Sequence, residues 1–152
     1  MLKCVVTYPS RDDERRIMNR FTRKISATAE RAVTEDEVRK LRETLDSVYC
    51  DEKVGEYILD IVEATRAPER FNIRDLIGRI EMGASPRATL WLNIGARANA
   101  LIHGRAYATP QDVKEVARDV LRHRVMLSYE AEAENLTADK VVETILSAIA
   151  VP

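Results

Sequence analysis

Arg87 is a residue that local helix rules do not place where it stands. Ser85 and Pro86 read as a helix start, because serine is a favoured N-cap and proline fits the first helical position, where its missing amide has no partner to lose. Arg87 and Ala88 follow at once. The unsatisfied amides of a first turn carry about half a positive charge, so Asp or Glu would suit that turn better. Amides and a guanidinium fork together make a phosphate site. The plainer alternative is that Arg87 points into solvent or pairs with a nearby carboxylate.

Other chemistries lack their residues. His103 and His123 are the only histidines, no H-E-x-x-H occurs, and neither has a cysteine or second histidine at ligand spacing. A metal site is not expected, and both histidines read as surface or helix-end residues. No G-x-S-x-G elbow positions a serine nucleophile. Gly78 to Ser85 has the glycine spacing of a phosphate loop, yet Ala84 occupies the place where that loop needs lysine. The segment is therefore not a Walker A motif.

The whole chain adds no broad electrostatic signal. Its 152 residues are 45% hydrophobic and 32% charged, enough for one soluble domain with a real core. Lys and Arg number 24 against 25 Asp and Glu, a net charge of −1, so any anion site must be local. Cys4 and Cys50 stand far apart with no C-x-x-C, which favours reduced thiols and a cytoplasmic location. Neither a signal peptide nor a long apolar span is visible, so no membrane partner is expected.

The elements that must position Arg87 read as mainly α. Leu2 to Tyr8 is a β-branched run ending at Pro9, like the last strand of something longer. Ser10 caps a first helix with the stripe Ile17, Met18, Phe21 and Ile25, and Thr34 to Glu37 is a capping box before Val38, Leu41, Leu45 and Val48. Asp51 caps a third helix in which Val54, Tyr57, Ile58, Ile61 and Val62 share a face as far as Thr65-Arg66. Ala67 to Met82 reads as a packed connection containing a short helix. The Arg87 helix stops at Gly104, with Trp91, Leu92, Ile94, Ala98, Leu101 and Ile102 as packing residues and Gly95 marking a close helix crossing. Thr109-Pro110-Gln111-Asp112 opens another, with the stripe Val113, Val116, Ala117, Val120 and Leu121. Val125 to Tyr129 suits a short strand, and Thr137 caps a final helix carrying Val141, Val142, Ile145, Leu146 and Ile149. The predicted fold is a bundle of about six helices with one or two short strands. Arg11, Arg15, Arg16, Arg20, Arg23 and Lys24 are diluted by Asp12, Asp13 and Glu14, an ordinary solvated face unless they cluster with Arg118, Arg122 and Arg124.

Five landmarks in register resemble a known family: Tyr8-Pro9-Ser10, Tyr57 to Arg66 ending Ala64-Thr65-Arg66, Gly83 to Ala88, Thr109 to Val113, and Leu121-Arg122-His123-Arg124. Over nearly the whole chain they are similar to the C-terminal lid of MoxR-type AAA+ ATPases. The resemblance implies that Arg87 is the sensor-2 arginine, reaching the terminal phosphate of ATP held by a neighbouring α/β core. It implies a nucleotide-binding set of Tyr8, Pro9, Ser85, Pro86 and Arg87, with Tyr8-Pro9 as a hinge near the adenine. Residues 1–9 would be the remaining last strand of an absent core, and residues 10–152 the lid. The Walker A lysine, Walker B acid, sensor-1 residue and arginine finger have no counterpart here, and Met82 replaces a common aromatic. The expected protein is then a fragment of an ATP hydrolase, inactive without its core, which would hold ATP and Mg. Implied partners are that core, the other subunits of a homo-oligomeric ring and a von Willebrand A-domain protein, in chaperone-like remodelling; nucleic acid is not expected. The Leu2 to Tyr8 segment would leave an apolar patch exposed. The competing readings are a free-standing helical protein-interaction or DNA-binding module that uses Pro110 to Arg124, and a scaffolding remnant of an ATPase.

Overall fold

The computed structural model describes residues 1–22 and 29–152. Arg23 and Lys24 of the basic run and Ile25 of the first stripe lie outside the described residues. The chain divides into two compact units, Cys4–Arg42 and Met1–Lys3 with Glu43–Pro152.

The described residues form seven α-helices: α1 Arg11–Phe21, α2 Glu35–Leu45, α3 Glu52–Ala64, α4 Arg87–Ile102, α5 Pro110–Leu121, α6 Tyr129–Ala133 and α7 Ala138–Ala148. Four strands are each two or three residues long: β1 Tyr49–Cys50, β2 Ile80–Met82, β3 Tyr107–Ala108 and β4 Met126–Leu127. The fold is the predicted helical bundle; its additional helix, α6, is five residues long and is capped by the Ser128 hydroxyl. β1 pairs in parallel with β3, Tyr49 opposite Tyr107, and β2 pairs antiparallel with β4, Met82 opposite Met126. No helix is long and apolar enough to cross a membrane among the described residues.

In the larger unit the predicted stripes of α3, α5 and α7 meet in one core with Leu92 and Ala96 of α4, whereas Ile102, predicted to pack, is 81% exposed. Tyr57, Ile58, Ile61 and Val62 of α3, Leu92 and Ala96 of α4, Val113, Ala117 and Leu121 of α5, and Val141, Val142 and Ile145 of α7 are each at most 2% exposed. Burying such side chains contributes about 1.5–3 kcal/mol for each large aliphatic, so these stripes hold the unit together. A Cβ on Gly95 would lie 3.3 Å from the Val116 Cγ2, which is the close α4–α5 crossing that a mid-helix glycine signals. Between α3 and β2 run two 3₁₀ turns, Pro68–Phe71 and Arg74–Leu76, joined through Asn72 in the left-handed region (φ 58°). Ile73 and Leu76 of that connection are buried, so it packs as predicted.

The smaller unit contains α1 and α2 as far as Arg42. Both helix starts are built as the sequence implies: Asp13 N–H donates to the Ser10 Oγ at 3.2 Å, and Thr34 and Glu37 exchange bonds at 2.7 and 3.2 Å. Ile17, Met18, Phe21, Val38 and Leu41 remain exposed, and no described residue of this unit is buried. Residues 1–9 form no strand. Val6 and Tyr8 are 93% and 96% exposed.

Candidate functional site

The segment before α4 is held by the end of α3. Thr65 follows the last helical residue and is fully buried. Its hydroxyl donates to the Val62 carbonyl at 2.6 Å and accepts the Ala84 N–H at 2.9 Å. Gly83 lies so close that a Cβ there would stand 2.4 Å from the Thr65 carbonyl oxygen and 2.6 Å from the Arg66 Cγ. Ala84 and Ala88 are buried on either side of Ser85-Pro86-Arg87, whose three residues are exposed. The start of α4 is therefore clamped from below and open above.

Ser85 corrects one detail of the predicted helix start. Pro86 is already in the right-handed helical region (φ −55°, ψ −21°) and occupies the N-cap, with no side-chain capping bond. Ser85 supplies its carbonyl, which accepts the Ala88 N–H at 2.8 Å. The regular helix thus begins at Arg87, one residue later than a serine cap would place it, after a tighter turn closed by the Ser85 carbonyl.

Arg87 is the first residue of α4 and has neither a hydrogen bond nor an ion pair among the described residues. The first turn contains no acidic residue. Of the two plain explanations for a cation here, pairing with a neighbouring carboxylate is absent. What the structure offers is a guanidinium in solvent beside helix-end amides, an arrangement suited to an anion. Tyr8 and Pro9, the other predicted nucleotide contacts, belong to the smaller unit, where they lead directly into the Ser10 cap of α1.

Thr65 was readable in the sequence only as a helix end. Its bond to Ala84 joins positions 19 residues apart, which no local pattern reports. Thr65→Val is expected to cost about 1–3 kcal/mol, because the Ala84 N–H would be left buried without an acceptor. Urea unfolding checks this, with Thr65→Ser retaining most of the stability.

The face proposed for DNA is spent on the protein itself. The apolar side of α5 is buried, Arg118 pairs with Glu143 at 2.9 Å, and Arg122 lies 3.0 Å from Asp139. Arg124 donates to the Met1 carbonyl at 3.2 Å. Arginines already matched by carboxylates offer little to a phosphate backbone.

His103 ends α4, exposed, with Nδ1 2.8 Å from the Asn99 carbonyl. Ligating atoms of His103, Asp112 and Glu115 lie within 4.8 Å of one another. The Asp112 oxygens are nevertheless taken by Arg105 at 2.6 and 2.7 Å, by the Thr109 amide and hydroxyl, and by Asn99 at 2.8 Å. This is a structural lock that leaves the carboxylate no lone pair aimed at an ion. Burial and the neighbouring Arg124 keep the His123 imidazole below its ordinary pKa.

Comparison with known proteins agrees with this geometry. Residues 78–145, which include Arg87 and its helix, match the AAA lid domain family. The whole chain is 36% identical to Chaperone MoxR1 of Mycobacterium tuberculosis and covers 40% of that protein. Protein MoxR of Paracoccus denitrificans is 35% identical over 102 residues, 63% of this chain and 30% of that one. A crystal structure from Cytophaga hutchinsonii, of a protein assigned as an ATPase, matches all of this chain and 46% of its own at a TM-score of 0.94 and 35% identity. The chain thus spans less than half the length of these relatives. With the lid-domain match spanning Arg87 and its helix, and relatives of this name and fold covering the whole chain, the chain belongs to the AAA lid domains, and among these to the MoxR type.

Proposed function

We propose that this lid works in a MoxR-type AAA+ ATPase, closing over ATP held by an α/β core and coupling its binding and hydrolysis to chaperone-like remodelling. Arg87 is the sensor-2 residue in this reading. The observation that carries it is an exposed guanidinium, without a carboxylate partner among the described residues, on the first turn of a helix whose entry is fixed by Thr65 and Gly83.

The chemistry asked of Arg87 is electrostatic. Phosphoryl transfer spreads charge over the phosphate oxygens, and a positioned guanidinium offsets it without reorganising at the moment of reaction. Because Arg87 is carried by the lid, its contact also reports nucleotide state by favouring closure. Ser85 and Pro86 set the angle of that first turn. Tyr8-Pro9 is the hinge beside the adenine, and residues 1–9 extend the core's sheet. ATP and Mg are held mainly by the core, so this chain alone does not hydrolyse ATP. The working assembly is a cytoplasmic homo-oligomeric ring, with a von Willebrand A-domain protein as partner.

Arg87→Ala tests the reading in the ATPase assembled from this lid and its core. One charge-assisted hydrogen bond is worth about 1.5–3 kcal/mol. Since about 1.4 kcal/mol is tenfold, activity is expected to fall about ten- to a hundredfold. Unchanged turnover together with unchanged ATP affinity would overturn the sensor role.

A further inference from the structure

Resting on the reading of Arg87 above, we propose that Arg66 is a second cation of the same site, directed at the polyphosphate of the nucleotide. Its stem runs beside Gly83: the Arg66 Cγ lies 2.6 Å from where a Gly83 Cβ would stand. Its backbone is fixed at the same corner, since Thr65 immediately before it holds the Ala84 amide and its own N–H donates to the Glu63 carbonyl at 2.8 Å. Gly83 and Arg87 are four residues apart, at most about 14 Å along the chain. Two long guanidinium side chains rooted over that span can converge on one polyphosphate.

Arg66 is also left without a carboxylate. It is exposed and takes part in no ion pair among the described residues, while the nearby Glu63 is occupied by Arg70. A packing role explains the methylene stem against Gly83 but not a charge left without a carboxylate. Two arginines rooted near one corner, both without a carboxylate partner among the described residues, suit a ligand bearing several adjacent anionic groups.

The test compares Arg66→Gln, Arg66→Lys and Arg87→Ala in the assembled ATPase, reading KM and kcat for ATP, the Kd of ADP and the thermal midpoint. Gln keeps the stem that packs on Gly83 and removes the charge; Lys keeps the charge. Arg66→Gln is expected to raise KM for ATP about tenfold at an unchanged thermal midpoint, as loss of one charged contact would. Arg66→Lys is expected to recover part of that loss, since it keeps the charge but not the fork. Equal impairment in Gln and Lys would show that the arginine acts through packing, and overturn the inference. Wild-type behaviour of Arg66→Gln beside an impaired Arg87→Ala overturns it too, while leaving the sensor-2 reading intact. Wild-type behaviour of both Arg66→Gln and Arg87→Ala would overturn that reading and this inference with it.

Discussion

Asp112→Ala is expected to destabilise the larger unit by about 3–5 kcal/mol, the cost of breaking a buried ion pair by removing one partner. Asp112 is fully buried, whereas the Arg105 side chain is 31% exposed. Removing the carboxylate strands more than that guanidinium. The Thr109 amide and hydroxyl lose their acceptor as well, and with them goes the capping box that starts α5, while the Asn99 amide keeps only Glu115. Against a total stability of about 5–15 kcal/mol this is a large fraction. Asp112→Asn keeps an acceptor for Thr109 but not the charge, and should fall between. Trp91, the single tryptophan, packs partly buried against the core and reports unfolding in urea. A loss below about 1 kcal/mol for Asp112→Ala would mean that solvent already screens the pair.

The same lock sets a pH dependence. The Arg105 guanidinium, aided by Thr109 and Asn99, holds the Asp112 carboxyl far below the usual carboxylate range. A group whose folded pKa is depressed contributes stability that is complete above its unfolded value, about 3.9, and is lost as pH falls from there towards the folded value. Stability of the larger unit is therefore expected to decline below about pH 4, and Asp112→Asn to flatten that decline. An identical acid profile in both proteins would assign the decline to other carboxylates.

What could be read from the sequence follows from how far each signal reaches along the chain. The stripes of α3, α5 and α7 repeat every three or four residues, and those residues fill the core. The Thr109 and Thr137 caps are likewise local, and both form. Arg87 was legible for the same reason, as a breach of a local rule at a helix start. The two-residue strands β1 and β3 are too short for any periodicity, and their pairing joins positions 58 residues apart in register, Tyr49 with Tyr107. Asp112 was visible as a helix-start acid, but not its burial, because Arg105 reaches it across the β3 turn rather than along a helix face. Ser85 was misread as a cap because its carbonyl, not its hydroxyl, closes the first turn, in a segment anchored at Ala84 by Thr65 from the end of α3. In α1 and α2 the periodic signal was present and both helices formed, yet amphipathicity states only that a face needs a partner. It does not say which one.

Gly83→Val is expected to be the most damaging change near Arg87, with Gly83→Ala close behind. Real Cβ atoms essentially never approach other heavy atoms within 3.0 Å, and one on Gly83 would stand 2.4 Å from the Thr65 carbonyl oxygen and 2.7 Å from its carbon. The Arg66 stem could swing aside, but the Thr65 backbone ends α3 and its side chain is fully buried. The segment must therefore lift off α3, which adds strain of about 1–3 kcal/mol. Lifting also pulls the Ala84 N–H from the Thr65 hydroxyl, a loss of about 1–3 kcal/mol that partly overlaps the first because both belong to one contact. Since α4 begins four residues later, the displacement reaches Arg87, and activity of the assembled ATPase should fall further than in Thr65→Val. Gly55 is the internal control. It lies within α3 with nothing inside 4 Å of an added Cβ, so Gly55→Ala should stabilise the unit by about 0.5–1 kcal/mol through helix propensity alone. Urea unfolding of the three variants separates the cases. If Gly83→Ala unfolds with the wild type while Gly55→Ala shifts as stated, the contact between α3 and the Gly83-Ala84 segment is looser than its distances imply, and Arg87 is positioned by α4 packing alone.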